Sequence, residues 1–177
     1  SNGYFYIQAN VMFPPTTGDD VIFGMDQEFL DGVKNPLFIS GGDWMGFIGM
    51  QRTGAVWIAR GTKETAKGIP SKDRTWKIVT LGQKLQPNTA YTIRSVIDVR
   101  NRRYVSFSIK GPGINKLLDL SSLTLDYPNY LPFDGRAMTF YNFVMRGAGS
   151  AKPGTTAYVI FDDVVMGLAD KRNPSKG

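Results

Sequence analysis

The 177 residues carry 21 Lys and Arg against 15 Asp and Glu, a formal net charge of +6, with 42% apolar residues and neither cysteine nor histidine. That double absence excludes disulfides, thiolate chemistry, the usual zinc ligand sets and a histidine general base. No apolar run approaches the ~20 residues of a membrane span, so no membrane insertion is expected. The basic residues are scattered over loops and tail without the stripe or basic helix that nucleic acid demands.

Short runs rich in Val, Ile, Phe, Tyr and Thr alternate with Gly and Pro turn signals from one end to the other, and no window of a dozen residues sustains a helical period. The alternation predicts strands over residues 4–13, 21–25, 37–40, 44–51, 56–60, 76–80, 89–100, 103–110, 137–145 and 156–166. Strands of this number and length suit an all-β fold, a two-sheet antiparallel β-sandwich of the jelly-roll type. We expect one sandwich domain over residues 1–170 and a polar C-terminal tail over 171–177.

In the second strand region, Gly-Met-Asp-Gln-Glu-Phe sets Asp26 and Glu28 two residues apart. On one strand face they would be a carboxylate pair of the kind that cleaves glycosidic bonds; in a Gly-flanked turn they would simply be solvated. The next hairpin, 44–60, is apolar on both faces, and its glycines allow another backbone to approach closely. Trp44 and Trp57 read there as core. Trp76, following the polar loop 61–75, is instead placed to rim a groove.

The run Tyr91 to Gly111 is a two-stranded ribbon with an Arg-Asn-Arg-Arg tip. Period two sends Ile93, Ile97, Val105, Phe107 and Ile109 to a core face and Arg94, Asp98, Tyr104, Ser106 and Lys110 to a polar face. That polar face is either a solvated sheet surface or the floor of a groove, and the tip reads as a soluble hairpin end. Residues 114–123 supply the one short helix to be expected, or an irregular crossover. The last strand closes on the adjacent pair Asp162 and Asp163.

Three segments, GYFYIQANVMFP, LQPNTAYTIRSVIDVRNRRYVSFSIKGPG and TAYVIFDDVVMG, resemble in order the paired strands of the concanavalin A-like lectin/glucanase superfamily, which includes laminin G-like jelly rolls. The resemblance implies curved antiparallel sheets that bind glycans in a groove or at loops, in enzymes and non-catalytic modules alike. Hydrolases of the superfamily set Glu-x-Asp-x-x-Glu or Glu-x-Asp-x-Glu on one strand; this chain has only Glu28 and Glu64, and neither lies in such a motif. Lyases on the fold pair a neutralising Arg or Gln with a His or Tyr base, for which Tyr104 with Arg94, and Tyr141 with Arg146, are the pairs available here.

These readings converge on a non-catalytic carbohydrate-binding or adhesive module of a secreted, periplasmic or cell-surface protein. A glycan is its partner, acidic ones being favoured by the arginines. Trp76, Arg94 and Tyr104 are the expected ligand-binding residues: an aromatic face packs on a pyranose ring, and planar polar groups take its hydroxyls. The resemblance further places a structural calcium, or a hydrogen-bonding Asp, at Asp162 and Asp163. A polysaccharide-degrading hydrolase or lyase is the alternative from another class, and a structural protein-binding domain is the third.

Overall fold

The computed structural model describes residues 3–30, 42–65, 69, 75–130, 138–146 and 158–170. Within them the alternating runs become strands Tyr4–Met12 (β1), Ile22–Leu30 (β2), Gly42–Met50 (β3), Ala55–Arg60 (β4), Thr75–Thr80 (β5), Tyr91–Asp98 (β6), Arg103–Gly111 (β7), Ile114–Asp119 (β8), Asp126–Tyr130 (β9), Met138–Arg146 (β10) and Ile160–Leu168 (β11). The expected strand 37–40 and the tail 171–177 lie outside the described residues.

The strands form two antiparallel sheets packed face to face. One runs β11-β1-β6-β7-β8; the other runs β10-β2-β3-β4-β5, with β9 also paired to β3. This is the all-β, two-sheet, jelly-roll-like sandwich expected from the sequence. Alternate residues fill the interlayer: Ile7, Ala9 and Val11 of β1, Ile93 and Ile97 of β6, and Phe107 and Ile109 of β7 meet Phe23 and Met25 of β2, Ile48 and Met50 of β3, and Val56 and Ile58 of β4 in a single apolar cluster. Burial of each of these side chains larger than alanine stabilises the fold by about 1.5–3 kcal/mol relative to exposure.

Two expectations are corrected. Residues 114–119 are a strand, not a helix. Gly111-Pro112-Gly113-Ile114 makes a two-residue turn with Gly113 at φ +72°, and Gly111 pairs with Ile114. Proline followed by a residue with positive φ is the signature of a type II turn, which folds the chain straight back into a ladder. Strand β2 also continues past Met25 to Leu30, so Asp26 and Glu28 do not lie in a loop. Gly24 is no turn signal: a Cβ there would lie 2.0 Å from the Ile48 carbonyl oxygen, so glycine serves the close approach of β2 to β3.

Strand β3 forks. Its C-terminal half pairs with β4 as far as Ile48↔Ile58, whereas its N-terminal half pairs with β9 from Gly42↔Tyr130 to Met45↔Asp126. Strand β3 is buried at every position, so both of its faces are covered.

Candidate functional site

The ribbon β6–β7 places its two candidate residues on opposite sides of its sheet. Register slips by one residue between Val96↔Ser106 and Ile97↔Tyr104, leaving Val105 as an extra residue in β7. Such a bulge inverts the facing of everything beyond it. Tyr104 therefore points into the sandwich, 1% exposed, where its hydroxyl donates to the Ala59 carbonyl and lies 3.2 Å from that of Phe47. Its assignment to the polar face is thus corrected.

Arg94 does lie on the outer face of the five-stranded sheet, yet it is 8% exposed, and its guanidinium sits 3.7 Å from the centre of the Tyr6 ring. Burial pulls its pKa below the ordinary arginine value, with Tyr6 opposing that shift. At the hairpin tip the Asp98 carboxylate accepts from the backbone N–H (3.0 Å) and side-chain amide (2.7 Å) of Asn101, while Arg102 reaches over the Trp44 ring at 4.8 Å. The tip is held by its own contacts.

Trp76 lies on the other sheet. Alternation from the core residues Val56 and Ile58 sends Trp57 and Ala59 to the outer face of β4, and the pairs Trp57↔Ile78 and Ala59↔Trp76 carry that face onto β5. Trp57 and Trp76 meet edge to face at 5.9 Å, and Trp76 meets Phe47 of β3 in the same way at 5.7 Å. The Trp57 indole N–H donates to Gln51 Oε1 at 3.0 Å, which fixes the ring. Both tryptophans are half-buried, and Ile78 is exposed. The expectation that Trp57 belongs to the interlayer core is corrected: it joins Trp76 in an aromatic patch outside it.

Across the same face runs a transverse row. Asn142 of β10 pairs with Asp26 of β2, Asp26 with Phe47 of β3, and Ala59 of β4 with Trp76 of β5. At about 4.8 Å between strands, Asp26 and Trp76 are roughly 14 Å apart. Glu28, two residues along, shares the face of Asp26, so the two carboxylates do project together. Met45, Phe47 and Ala59 form a second apolar cluster with Ile22, Trp76 and Val144 against them. The middle of the face is closed, with Asp26 5% and Phe47 4% exposed, and it opens towards Trp57, Trp76 and Ile78. Trp57 and Ile78 were legible in principle, because they occupy the paired alternate positions of two predicted strands.

At the β11 end of the other sheet, Asp163 accepts from the Asn10 side-chain amide (2.7 Å) and Asp162 accepts from the Asp163 backbone N–H (2.8 Å). Among the described residues no cluster of three or more acidic, His or Cys side chains occurs. Tyr141 packs against the interlayer core, and burial raises its pKa. Among the described residues no helix is long and apolar enough to cross a membrane.

No family model matches the chain, and no curated protein matches it. Among solved structures, an alginate lyase from Pseudomonas aeruginosa aligns over 94% of this chain at 11% identity with a TM-score of 0.47. A variant family 7 alginate lyase in complex with substrate aligns over 94% at 11% identity with a TM-score of 0.45. This chain spans 65% and 61% of the length of those two proteins. Likeness at this level assigns no residue a role.

Proposed function

We propose that the domain binds carbohydrate, as a non-catalytic module of a secreted or cell-surface protein, and that the saccharide packs on the outer face of β4 and β5. The observation that supports this reading is the Trp57–Trp76 pair: two half-buried indoles set edge to face outside the core, beside an exposed Ile78. Flat aromatic surface on a rigid sheet suits the apolar face of a pyranose and costs little conformational entropy on binding. Of the three residues expected to bind ligand, only Trp76 belongs to this patch. Arg94 and Tyr104 hold other parts of the sandwich.

The test is a glycan array followed by titration of the best binder. Trp76→Ala should weaken binding by about tenfold or more, equivalent to at least about 1.4 kcal/mol. Equal affinity of wild type and Trp76→Ala would remove the proposal.

A second reading, cleavage of a polysaccharide, is favoured by one observation: Asp26 and Glu28 share that outer face, with Asn142 paired to Asp26. Paired carboxylates can divide acid and nucleophile or base roles between them. Release of reducing ends or of unsaturated uronate products, lost in Asp26→Asn and Glu28→Gln, would support this reading; no release from any polysaccharide on the array would exclude it.

A further inference from the structure

At the mouth of the sandwich, where β4 ends and β5 begins, Arg60, Gly61, Thr62, Lys63 and Thr75 face the turn Ser122-Leu123-Thr124 across a cavity of about 430 Å³. We propose that this cavity is an oxyanion-binding site for a small hydroxyl-bearing ligand, separate from the aromatic patch. Among the described residues its lining holds two cations, four hydroxyls and no carboxylate. Its volume lies within the roughly 300–1,000 Å³ of small-molecule sites.

The Arg60 Nε is buried and has no hydrogen-bond partner. Burial shuts that atom off from the cavity, so a ligand meets the guanidinium through its charge and its outer nitrogens, where a charge-assisted bond to an oxyanion is the strong kind. Lys63 adds a second positive charge on the same rim, and the Thr and Ser hydroxyls donate to or accept from a ligand's own hydroxyls.

Both walls are built and fixed. Gly61 N–H donates to the Thr124 carbonyl at 3.0 Å, and a Cβ on Gly61 would lie 2.5 Å from the Leu125 carbonyl oxygen, so only glycine lets the walls approach this closely. Thr62 and Thr65 clasp each other: Thr62 N–H donates to Thr65 Oγ1, Thr65 N–H to Thr62 Oγ1 (3.3 Å), and the Thr65 hydroxyl to the Thr62 carbonyl (2.7 Å). That clasp holds the backbone of Lys63, which lies between them. On the opposite wall Leu123 N–H donates to Leu120 O (2.9 Å), Tyr104 N–H to Leu123 O (3.0 Å), and Arg103 Nη1 to Ser121 O (3.1 Å). Two cations on walls set before the ligand arrives meet the requirement for preorganised anion recognition.

The test is amide-shift titration of the isotope-labelled chain with D-glucuronate, glucose 6-phosphate, inorganic sulfate, inorganic phosphate and neutral D-glucose. A sugar acid or sugar phosphate should shift the Gly61, Thr62, Ser122 and Thr124 amides saturably, with affinity falling as salt rises. D-Glucose should leave them in place. Arg60→Met and Lys63→Met should each weaken binding by about tenfold, and Arg60→Lys should retain part of it. Should Arg60→Met fail to fold, Lys63→Met, altered at an exposed position, carries the test. Shifts with inorganic anions alone, shifts that persist in Lys63→Met, or none with either sugar anion would overturn the proposal. None of these outcomes depends on whether the Trp57–Trp76 face binds glycan.

Discussion

Replacing Tyr104 by Phe removes one oxygen from the middle of the sandwich and nothing else. The hydroxyl rises from β7 to the fork of β3, where the Phe47 and Ala59 carbonyls lie one residue beyond the last β3–β4 pair, Ile48↔Ile58. Without it, buried acceptors lose their donor from the opposite sheet. Such a loss costs about 1–3 kcal/mol. The ring stays, so no cavity term is added. For a chain of this length each kcal/mol moves Tm by about 2–4 °C, so Tyr104→Phe should melt roughly 4–8 °C lower at the middle of that range. Tyr91→Phe is the control: its hydroxyl accepts from the Gln86 N–H at 2.9 Å in a partly buried site, and the expected loss is smaller. Thermal melting followed by circular dichroism reads both. A Tyr104→Phe melt within about 1 °C of wild type would refute the reasoning.

Gly24→Ala should destabilise the fold at the upper end of the about 1–3 kcal/mol usual for overpacking, because the new methyl meets β3 backbone and not a movable side chain; a soluble variant with an unchanged melt would contradict this. The buried Tyr141 has its pKa raised above the usual 10.0, so the folded state keeps a proton that the unfolded chain releases. Its contribution to stability is complete below about pH 10 and is lost as pH rises from there through the folded-state pKa. Urea melts of wild type and Tyr141→Phe between about pH 8 and 11 should show the wild type losing more stability at the alkaline end; parallel curves would contradict the shift. Calcium in excess and a chelator should give coincident melting curves, since Asp162 and Asp163 are engaged by Asn10 and their own backbone. A rise in Tm with calcium that Asp162→Asn abolishes would instead place a calcium there.

Period two made the layered architecture legible in the sequence, as at Ile93 and Ile97 of β6 or Phe107 and Ile109 of β7. It failed where one residue broke the count. Tyr104 reads as outward by simple alternation from Ser106, and only the extra Val105 turns it inward. Residues 114–119 show apolar residues at helical spacing, and the strand is dictated instead by the Pro112-Gly113 turn before it. Strand β2 looked as though it ended at Gly24 or Met25 because glycine usually punctuates; here glycine answers to its neighbour across the ladder. The aromatic patch was half visible. Trp76 stands out in the sequence, whereas Trp57 reads as core, because which face of β4 looks inward is settled by tertiary packing and not by its own six residues. Arg94 was recognised as a residue of the outer face, yet nothing in the sequence announces that Tyr6, far away in the chain, lies under its guanidinium.

Strand β11 closes the five-stranded sheet with Ile160, Val164, Val165, Met166 and Leu168 all more than 40% exposed. Its outer ladder would be an invitation to fibrous stacking if it ran flat. Between Asn10↔Asp162 and Gln8↔Val165 two residues oppose one, Asp163 adopts φ +48°, and a pair of negative charges sits at the kink. A kink and charges on an edge are how natural sheets avoid templating copies of themselves. Straightening it, with Asp163→Val for example, should make a stored solution cloud sooner than the wild type does, with the Trp57–Trp76 face untouched.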